Sequence, residues 1–423
     1  MKDAFIPPSI EYPLNWFLDF AFPAIAKLAL NIESVEITEE DKSLLRSLKK
    51  ERVLYMSNHP TTIEPPVAFF VANVMGSRFK YMASRPVFDW GFGMVGELIK
   101  RVGAFSVLAG GADRESIKMA RNILAEKEGK LVIYPEGMNG LENDNLLPFQ
   151  PGASQIGFWA YEDVRKKNPE EDVLMLPSFV RYLQVGSKES IHQEIESSIT
   201  KIERTLGANP GSRNLLRRFL MIGRILLENV EREFGIDYEP EKPMDYRIGR
   251  VRHAVLNKAG EGLGIQFQTG EDAIAKIREL FTAVESLQAG FPSPKAPKET
   301  PKNLEQIKKD IERAYTFIVI RPEYLISRPT PERFMEWIYR FENIVLGATH
   351  YRPRKANVSF AKPISFKENY EAYRKDKKAT VLEITQKLRQ SIEDQLIKTL
   401  ELSSPLVTPF DAGEDLKIWG IKK

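Results

Sequence analysis

The fold of this 423-residue chain is decided at VLYMSNHPTTIE, residues 53–64. The apolar beginning of this stretch predicts a buried strand, and its end predicts the start of a helix. His59 and Glu64 would lie about 140° apart on a continuous helix, so they can meet only if His59 precedes it. Pro60 favours that arrangement, because it suits a first helical position and keeps the preceding residue out of the α region. Taken alone, the stretch is either a helix cap beside an unrelated glutamate or a general base with its orienting carboxylate.

Short apolar runs alternate with helical patterns from about residue 50 to residue 183. The predicted strands are Val53–Ser57, Phe79–Ala83, Gly103–Val107, Lys130–Tyr134 and Val173–Val180. The predicted helices are Ile63–Val74, Asp89–Val102, Ala112–Glu128 and Gly152–Lys166. Uniformly apolar strands between helices indicate a sheet that is buried on both faces. We therefore predict an α/β fold with a largely parallel or mixed central sheet flanked by helices, and a helical insertion before the last strand.

The sequence predicts four segments. Residues 1–45 form an N-terminal helical or interfacial segment, and residues 46–186 form the α/β core. Residues 187–353 are a mainly helical insertion, with a linker rich in proline and lysine at residues 290–303. Residues 354–423 supply the closing strand, predicted at Lys355–Ala361, and a long C-terminal helix, predicted at Ala379–Leu400.

Composition excludes several classes of function. A hydrophobic content of 43% and a charged content of 28% are typical of a globular protein. A net charge of only +3 argues against a dominant basic surface, so no nucleic-acid partner is expected. The absence of cysteine excludes disulfides and thiolate chemistry. His192, His253 and His350 lack metal-ligand spacing, and no metal site is predicted.

Two segments have features of membrane-interface helices. Tyr12–Ile32 is rich in aromatic residues but contains Asp19 and Lys27, which disfavour a spanning helix. It either lies at a membrane interface or packs on the core. Ser212–Phe234 combines aliphatic residues with arginines, and it is either an interfacial helix or a core helix of the insertion. No secretory signal is visible, and we expect a cytoplasmic protein that is peripheral to the membrane.

Three further stretches carry polar groups near the predicted carboxyl ends of strands, where open α/β sheets bind ligands. The first is Gly103–Val107 with Asp113–Ser116 at the start of the next helix. The second is Tyr134–Gly140, and the third is Leu176–Val180. Each is weak alone, because Pro-Glu-Gly is a common turn and an aspartate at a helix start is a common cap.

The order of these stretches makes the chain resemble the glycerolipid acyltransferase family. The first family block, N-H-x-x-x-x-D, is matched by Asn58 and His59, with Glu64 in place of aspartate. The later blocks are matched in sequence order. They are G-A-F-x-V with D-R-E (Gly103–Val107 and Asp113–Glu115), F-P-E-G-T-R (Tyr134–Gly137), a proline-bearing strand (Pro177) and a closing strand (Val358–Ile364). The resemblance covers roughly residues 45–185 and 354–400.

The resemblance implies transfer of a fatty acyl group to a hydroxyl of a lipid acceptor, such as a lysophospholipid, glycerolipid or glycolipid. His59 would be the general base and Glu64 would orient its imidazole. The residues expected to bind substrate are Asn58, Gly103, Phe105, Arg114, Glu136 and Gly137. No cofactor is implied. The expected partners are an acyl thioester donor, either acyl-CoA or acyl-carrier protein, the lipid acceptor and a membrane surface.

The acceptor side departs from the family pattern. Phosphate-binding members carry arginine after the second and third blocks, where this chain has Leu108-Ala109 and Met138-Asn139. These side chains cannot form the bidentate hydrogen bonds that arginine gives to phosphate, and Arg114 is the remaining candidate. Two alternatives therefore stay open. One is a non-catalytic lipid-binding or regulatory protein of the same fold, and the other is a transferase for a non-glycerol acceptor, including an amine.

Overall fold

A computed structural model describes residues 5–108, 113–290, 297, 299–319 and 321–409. Ala109 lies outside the described residues, as does most of the predicted linker (291–296 and 298). The chain forms two compact units. The first comprises residues 1–183 and 353–401, and the second comprises residues 184–352 and those from 402 onward.

The elements follow in chain order. The first part of the chain forms α1 (Tyr12–Ala29), β1 (Ile32–Glu36), α2 (Glu39–Ser47), β2 (Val53–Ser57), α3 (Glu64–Met75), β3 (Lys80–Ser84), a 3-10 segment (Arg85–Gly93), α4 (Met94–Arg101), β4 (Ala104–Val107), α5 (Arg114–Ala125), β5 (Lys130–Ile133), α6 (Gly152–Arg165) and β6 (Leu174–Gln184). The second unit contains α7 (Lys188–Leu206), α8 (Leu215–Glu233), α9 (Met244–Gly262), α10 (Ala273–Ala289), α11 (Leu304–Val319), α12 (Pro322–Ser327) and α13 (Pro331–Leu346). The chain then forms β7 (Arg354–Phe360), β8 (Ile364–Ser365), α14 (Tyr370–Lys375), α15 (Lys377–Thr399) and a 3-10 turn (Leu400–Leu402).

The first unit is built on an eight-stranded sheet of order β1-β7-β6-β2-β5-β3-β4, with β8 paired to β6. β2 is parallel to both β5 and β6, and β3 is parallel to β4 and β5. β8 runs antiparallel to β6, so the sheet is mixed but mostly parallel. Helices flank this sheet, and the helical stretch α7–α13 precedes β7. The predicted fold class is confirmed.

The central strand β2 is buried along its whole length, because its side chains alternate between two apolar cores. Leu54 and Met56 belong to the core that includes residues of α5, α6 and α15. Val53 and Tyr55 belong to the core on the other face, with residues of α3. A strand with apolar side chains on both faces is stable only inside a sheet that is covered on both faces. The carboxyl end of β2 therefore lies in the middle of the row of strand ends.

Two elements differ from the sequence predictions. The helix predicted at Asp89–Val102 begins only at Met94, because Gly91, Phe92 and Gly93 have φ angles of 58°, 58° and 87° and interrupt the helix. β1 was not predicted. Its five residues carry no long apolar run, and they form a strand by pairing in parallel with the distant β7.

The segments considered for a membrane interface are both helical. No helix within the described ranges is long and apolar enough to cross a membrane. α8 packs as a core helix of the second unit: Leu215, Phe219 and Leu226 are buried, and Arg218 is paired with Glu203 at 2.7 Å. The structure thus favours the packed alternative for α8.

Candidate active site

The chain leaves the sheet after β2, and Asn58 is the first residue beyond the strand. Its Nδ2 donates to the Val180 carbonyl at 2.9 Å, and its Oδ1 accepts from the Val180 N–H at 2.7 Å. Two residues further along β6, Asn143 repeats the pattern on the backbone of Tyr182, at 3.0 and 2.9 Å. The two amides satisfy the buried backbone of β6 beyond the end of β2. Asn58, predicted to bind substrate, therefore has its amide engaged by β6.

His59 and Glu64 meet. α3 begins at Glu64, followed by Pro65 and Pro66, and not at Pro60. His59 precedes the helix, and its Nδ1 lies 2.6 Å from Glu64 Oε2. The pairing fixes the imidazole orientation and leaves Nε2 as the nitrogen that can exchange a proton with a substrate.

Glu64 is 1% exposed and is surrounded by hydrogen-bond donors. Thr61 donates to it through its hydroxyl at 2.5 Å and its N–H at 3.2 Å, and the Tyr182 hydroxyl donates at 2.7 Å. Burial raises the pKa of Glu64, but the hydrogen bond and charge of His59, together with the donors from Thr61 and Tyr182, outweigh it and hold the pKa below its ordinary value. The carboxylate is therefore ionised and suited to stabilise an imidazolium.

Glu136 connects the loop after β5 to the histidine. Its Oε1 accepts the His59 N–H at 2.8 Å, and its Oε2 accepts the Leu147 N–H at 2.8 Å. In return, the Gly140 N–H donates to the His59 carbonyl at 2.6 Å. Burial raises the pKa of Glu136 to about 7, against the opposing effect of the two backbone N–H groups. The geometry makes Glu136 a positioning residue for the loop that carries His59.

The Tyr134 ring stacks on the His59 ring, with centroids 4.3 Å apart and an angle of 18° between the planes. Gly137, three residues later, turns the chain with a φ of 72°. Tyr134 therefore restricts the plane of the imidazole, while Glu64 restricts its rotation within that plane.

Sequence reasoning did not single out Tyr134, Thr61, Tyr182 or Asn143 as parts of the site. Thr61 was visible inside the first block as a hydroxyl, and Tyr134 inside the third block as an aromatic residue. Tyr182 and Asn143 carried no such signal, because their roles depend on β6 lying beside β2.

The residues predicted around β4 are not brought to His59. Gly103 precedes β4, and because the strands are parallel it lies at the opposite edge of the sheet, with a φ of 103°. Phe105 is 0% exposed within the apolar core. Arg114 is the exposed first residue of α5, and β4 is separated from β2 by β5 and β3, which corresponds to about 14 Å. Their roles in substrate binding stay predictions without a supporting contact.

Three of the positions that lack the family's arginines lie within the described residues: Leu108, Met138 and Asn139. The Leu108 N–H donates to the Asp113 carboxylate at 2.9 Å, and Asp113 also caps α5 by accepting from the Ser116 N–H at 3.0 Å. Met138 and Asn139 follow Gly137 in the loop and are partly exposed. The described side chains at these positions, Leu108, Met138 and Asn139, are thus uncharged.

A histidine paired with a buried carboxylate at the carboxyl end of the central strand of an α/β sheet is an arrangement found in enzymes that use a general base. Residues 35–164 match the family model described as Acyltransferase. This part of the chain belongs to the glycerolipid acyltransferase family, as the order of its motifs predicted, and the protein is an acyltransferase. No match was found among curated proteins or among solved structures.

Proposed function

We propose that this acyltransferase moves a fatty acyl group from an acyl-CoA or acyl-carrier-protein thioester to the hydroxyl of a lysophospholipid, glycerolipid or glycolipid at a membrane. The observation that carries the proposal is the 2.6 Å contact between His59 Nδ1 and a carboxylate of Glu64 that is buried and ionised. A membrane lipid is the acceptor class that the family implies.

The reaction follows from this pair. His59 Nε2 takes the proton of the acceptor hydroxyl while the oxygen attacks the thioester carbonyl. Glu64 stabilises the imidazolium that forms. The tetrahedral intermediate then collapses, the carbon–sulfur bond breaks, and the imidazolium returns its proton to the leaving thiolate. The products are an ester and a free thiol, and no covalent enzyme intermediate is needed.

The acceptor is expected to depend little on a phosphate contact. Leu108, Met138 and Asn139 stand where phosphate-binding members have arginines, and none can pair with a phosphate through a charged fork. We infer that acceptors with a neutral or larger head group react at least as well as a simple lysophosphatidic acid.

The test is transfer of a labelled acyl group to a panel of lyso- and glycolipid acceptors by purified protein. His59→Ala should lower the rate by about 10²–10⁴-fold. His192→Ala is the matched control, because His192 is a half-exposed histidine of the second unit and should leave the rate unchanged. Unchanged melting temperatures would show that both variants are folded.

Two results would redirect the assignment. Product formation by His59→Ala at the parental rate would refute His59 as the base. Absence of His59-dependent product with every acceptor, while the lipids still bind, would favour the non-catalytic lipid-binding alternative.

A further inference from the structure

Arg389 on α15 connects the C-terminal part of the chain to the loop between β5 and α6. Its Nη1 donates to the Leu147 carbonyl at 2.8 Å, and both Nη1 and Nη2 lie 3.4 Å from the Leu146 carbonyl. The guanidinium also lies over the Phe149 ring, 5.7 Å from its centroid. Because a planar guanidinium can donate to two successive carbonyls at once, Arg389 fixes the backbone of this loop at Leu146 and Leu147.

The peptide group between Leu146 and Leu147 is bonded at both ends. Its carbonyl faces Arg389, and its N–H, which belongs to Leu147, donates to Glu136 Oε2 at 2.8 Å. The other carboxylate oxygen of Glu136 accepts the His59 N–H at 2.8 Å. One chain of hydrogen bonds therefore runs from α15 to the backbone of His59. In such a chain each bond polarises the next, so a charged donor at the carbonyl makes the N–H a stronger donor.

α15 is a firm support for this arginine. Arg181, a buried residue of β6, donates to the Thr399 carbonyl at the end of α15, at 2.6 Å. Leu388, which precedes Arg389 in the chain, is fully buried in the same apolar core as Leu146. A side chain on a helix that is held in this way can position a neighbouring loop more precisely than a side chain on another loop.

Other contacts already fasten the loop, so attachment to α15 is not what the arginine contributes. Apolar side chains of the loop and of α15 share one core. The loop also closes on itself, because the Gln150 N–H donates to the Pro135 carbonyl at 2.7 Å. Arg389 is only half-buried and contributes little to that core. It contributes direction instead, since it acts on the peptide group whose N–H reaches Glu136.

We propose that Arg389 is a positioning residue for the base: it holds the Leu146–Leu147 peptide so that its N–H points at Glu136, and Glu136 in turn fixes the backbone at His59. Without the guanidinium this peptide is free to rotate, and the carboxylate then loses one of its two N–H donors. The partners of Arg389 are backbone groups, so its loss slows proton transfer and leaves substrate binding unchanged. The identity of the base rests on the proposed function, whereas the chain of hydrogen bonds does not.

The first experiment is steady-state acyl transfer by Arg389→Gln. Its kcat should fall about tenfold, with KM for the thioester and for the acceptor unchanged, because a displacement of the base by less than about 1 Å slows only the chemical step. Arg389→Lys should recover part of the loss, since an ammonium can still donate to the Leu147 carbonyl. Lys387→Gln is the matched control, because it removes a positive charge from an exposed position of the same helix, and it should keep the parental kcat.

The second experiment does not depend on activity. Exchange of the Leu147 amide hydrogen, measured by NMR, should be about tenfold faster in Arg389→Gln than in the parent and unchanged in Lys387→Gln. The proposal is overturned if this exchange rate or kcat stays parental in Arg389→Gln. It is also overturned if Arg389→Lys is as slow as Arg389→Gln while exchange rises along the whole of α15, since the arginine would then only stabilise the helix. Parental activity in His59→Ala would refute the proposed function instead, and the exchange rate would still show whether Arg389 holds this peptide.

Discussion

Two regions of the first unit carry blocks of the same family signature. One lies at the carboxyl ends of β2, β5 and β6, and the other comprises β4 and the start of α5. They differ in the contacts that their conspicuous side chains make. At the first edge, His59, Glu64 and Glu136 are joined by hydrogen bonds of 2.6 to 2.8 Å. In the second region, Arg114 is exposed at the start of α5, and Phe105 is buried in the core.

Under the proposed function, the difference means that the chain holds the base His59 by several contacts and binds the acceptor through exposed groups. Positioning a proton acceptor to within tenths of an ångström requires a rigid environment, whereas binding a lipid head group tolerates mobility. The following predictions separate the two regions, and they begin with the largest effect.

Glu64→Gln should lower the acyl-transfer rate by about 10³-fold, because the neutral amide cannot stabilise the imidazolium. The measurement is single-turnover acyl transfer at saturating acceptor. Glu115→Gln, on the exposed first turn of α5, is the control and should leave the rate unchanged. Equal losses in the two variants would remove the distinction between the regions.

Asn58→Leu should lower the free energy of unfolding by about 3 kcal/mol, because the buried N–H and carbonyl of Val180 both lose their partner. Urea unfolding at neutral pH measures it. Arg114→Leu, at an exposed position, should change the free energy by less than about 0.5 kcal/mol. A neutral Asn58→Leu would mean that β6 does not need the amide.

Glu136 should make stability depend on pH. With its pKa raised to about 7 by burial, the folded protein binds the proton more tightly than the unfolded chain. Stability should therefore fall by about 3 kcal/mol as the pH rises from about 4.5 to 7. Glu136→Gln should lose that part of the dependence in urea titrations at a series of pH values. Identical pH slopes in the variant and the parent would refute the shift.

Arg114→Gln should have the smallest effect. If Arg114 binds an acceptor phosphate, KM for a phosphate-bearing acceptor should rise by up to about tenfold, with kcat unchanged and neutral acceptors unaffected. Steady-state kinetics on both acceptor types measure it. A fall in kcat for both types would instead place Arg114 with His59 and Glu64.

Much of the fold was predictable from local sequence. The apolar run at Lys130–Tyr134 became β5 at Lys130–Ile133, and the predicted closing strand became β7, within one residue. The pair of His59 and Glu64 was also predictable, because the block that contains it spans only seven residues and Pro60 favours a histidine that precedes the helix.

The rest depended on pairings between distant parts of the chain. Tyr182 reaches Glu64 only because β6 lies beside β2, a neighbour relation that neither segment encodes alone. Gly103 shows a different limit. Its block lies within residues 35–164, which match the Acyltransferase model, but the order of blocks does not tell at which end of β4 the glycine lies. β1 likewise becomes a strand only by pairing with β7.

Asn58 and Asn143 also bear on how this protein can change over time. Since two side-chain amides complete β6, the backbone after Ser57 and after Gly140 is released from the sheet. Insertions or deletions in those two loops would leave the strands paired, but they would move His59 relative to Glu64 and Glu136, which hold it from within the same loops. The sheet therefore tolerates a change of length in these loops that the histidine–carboxylate pair does not, and the loops can vary in their exposed side chains more readily than in their length.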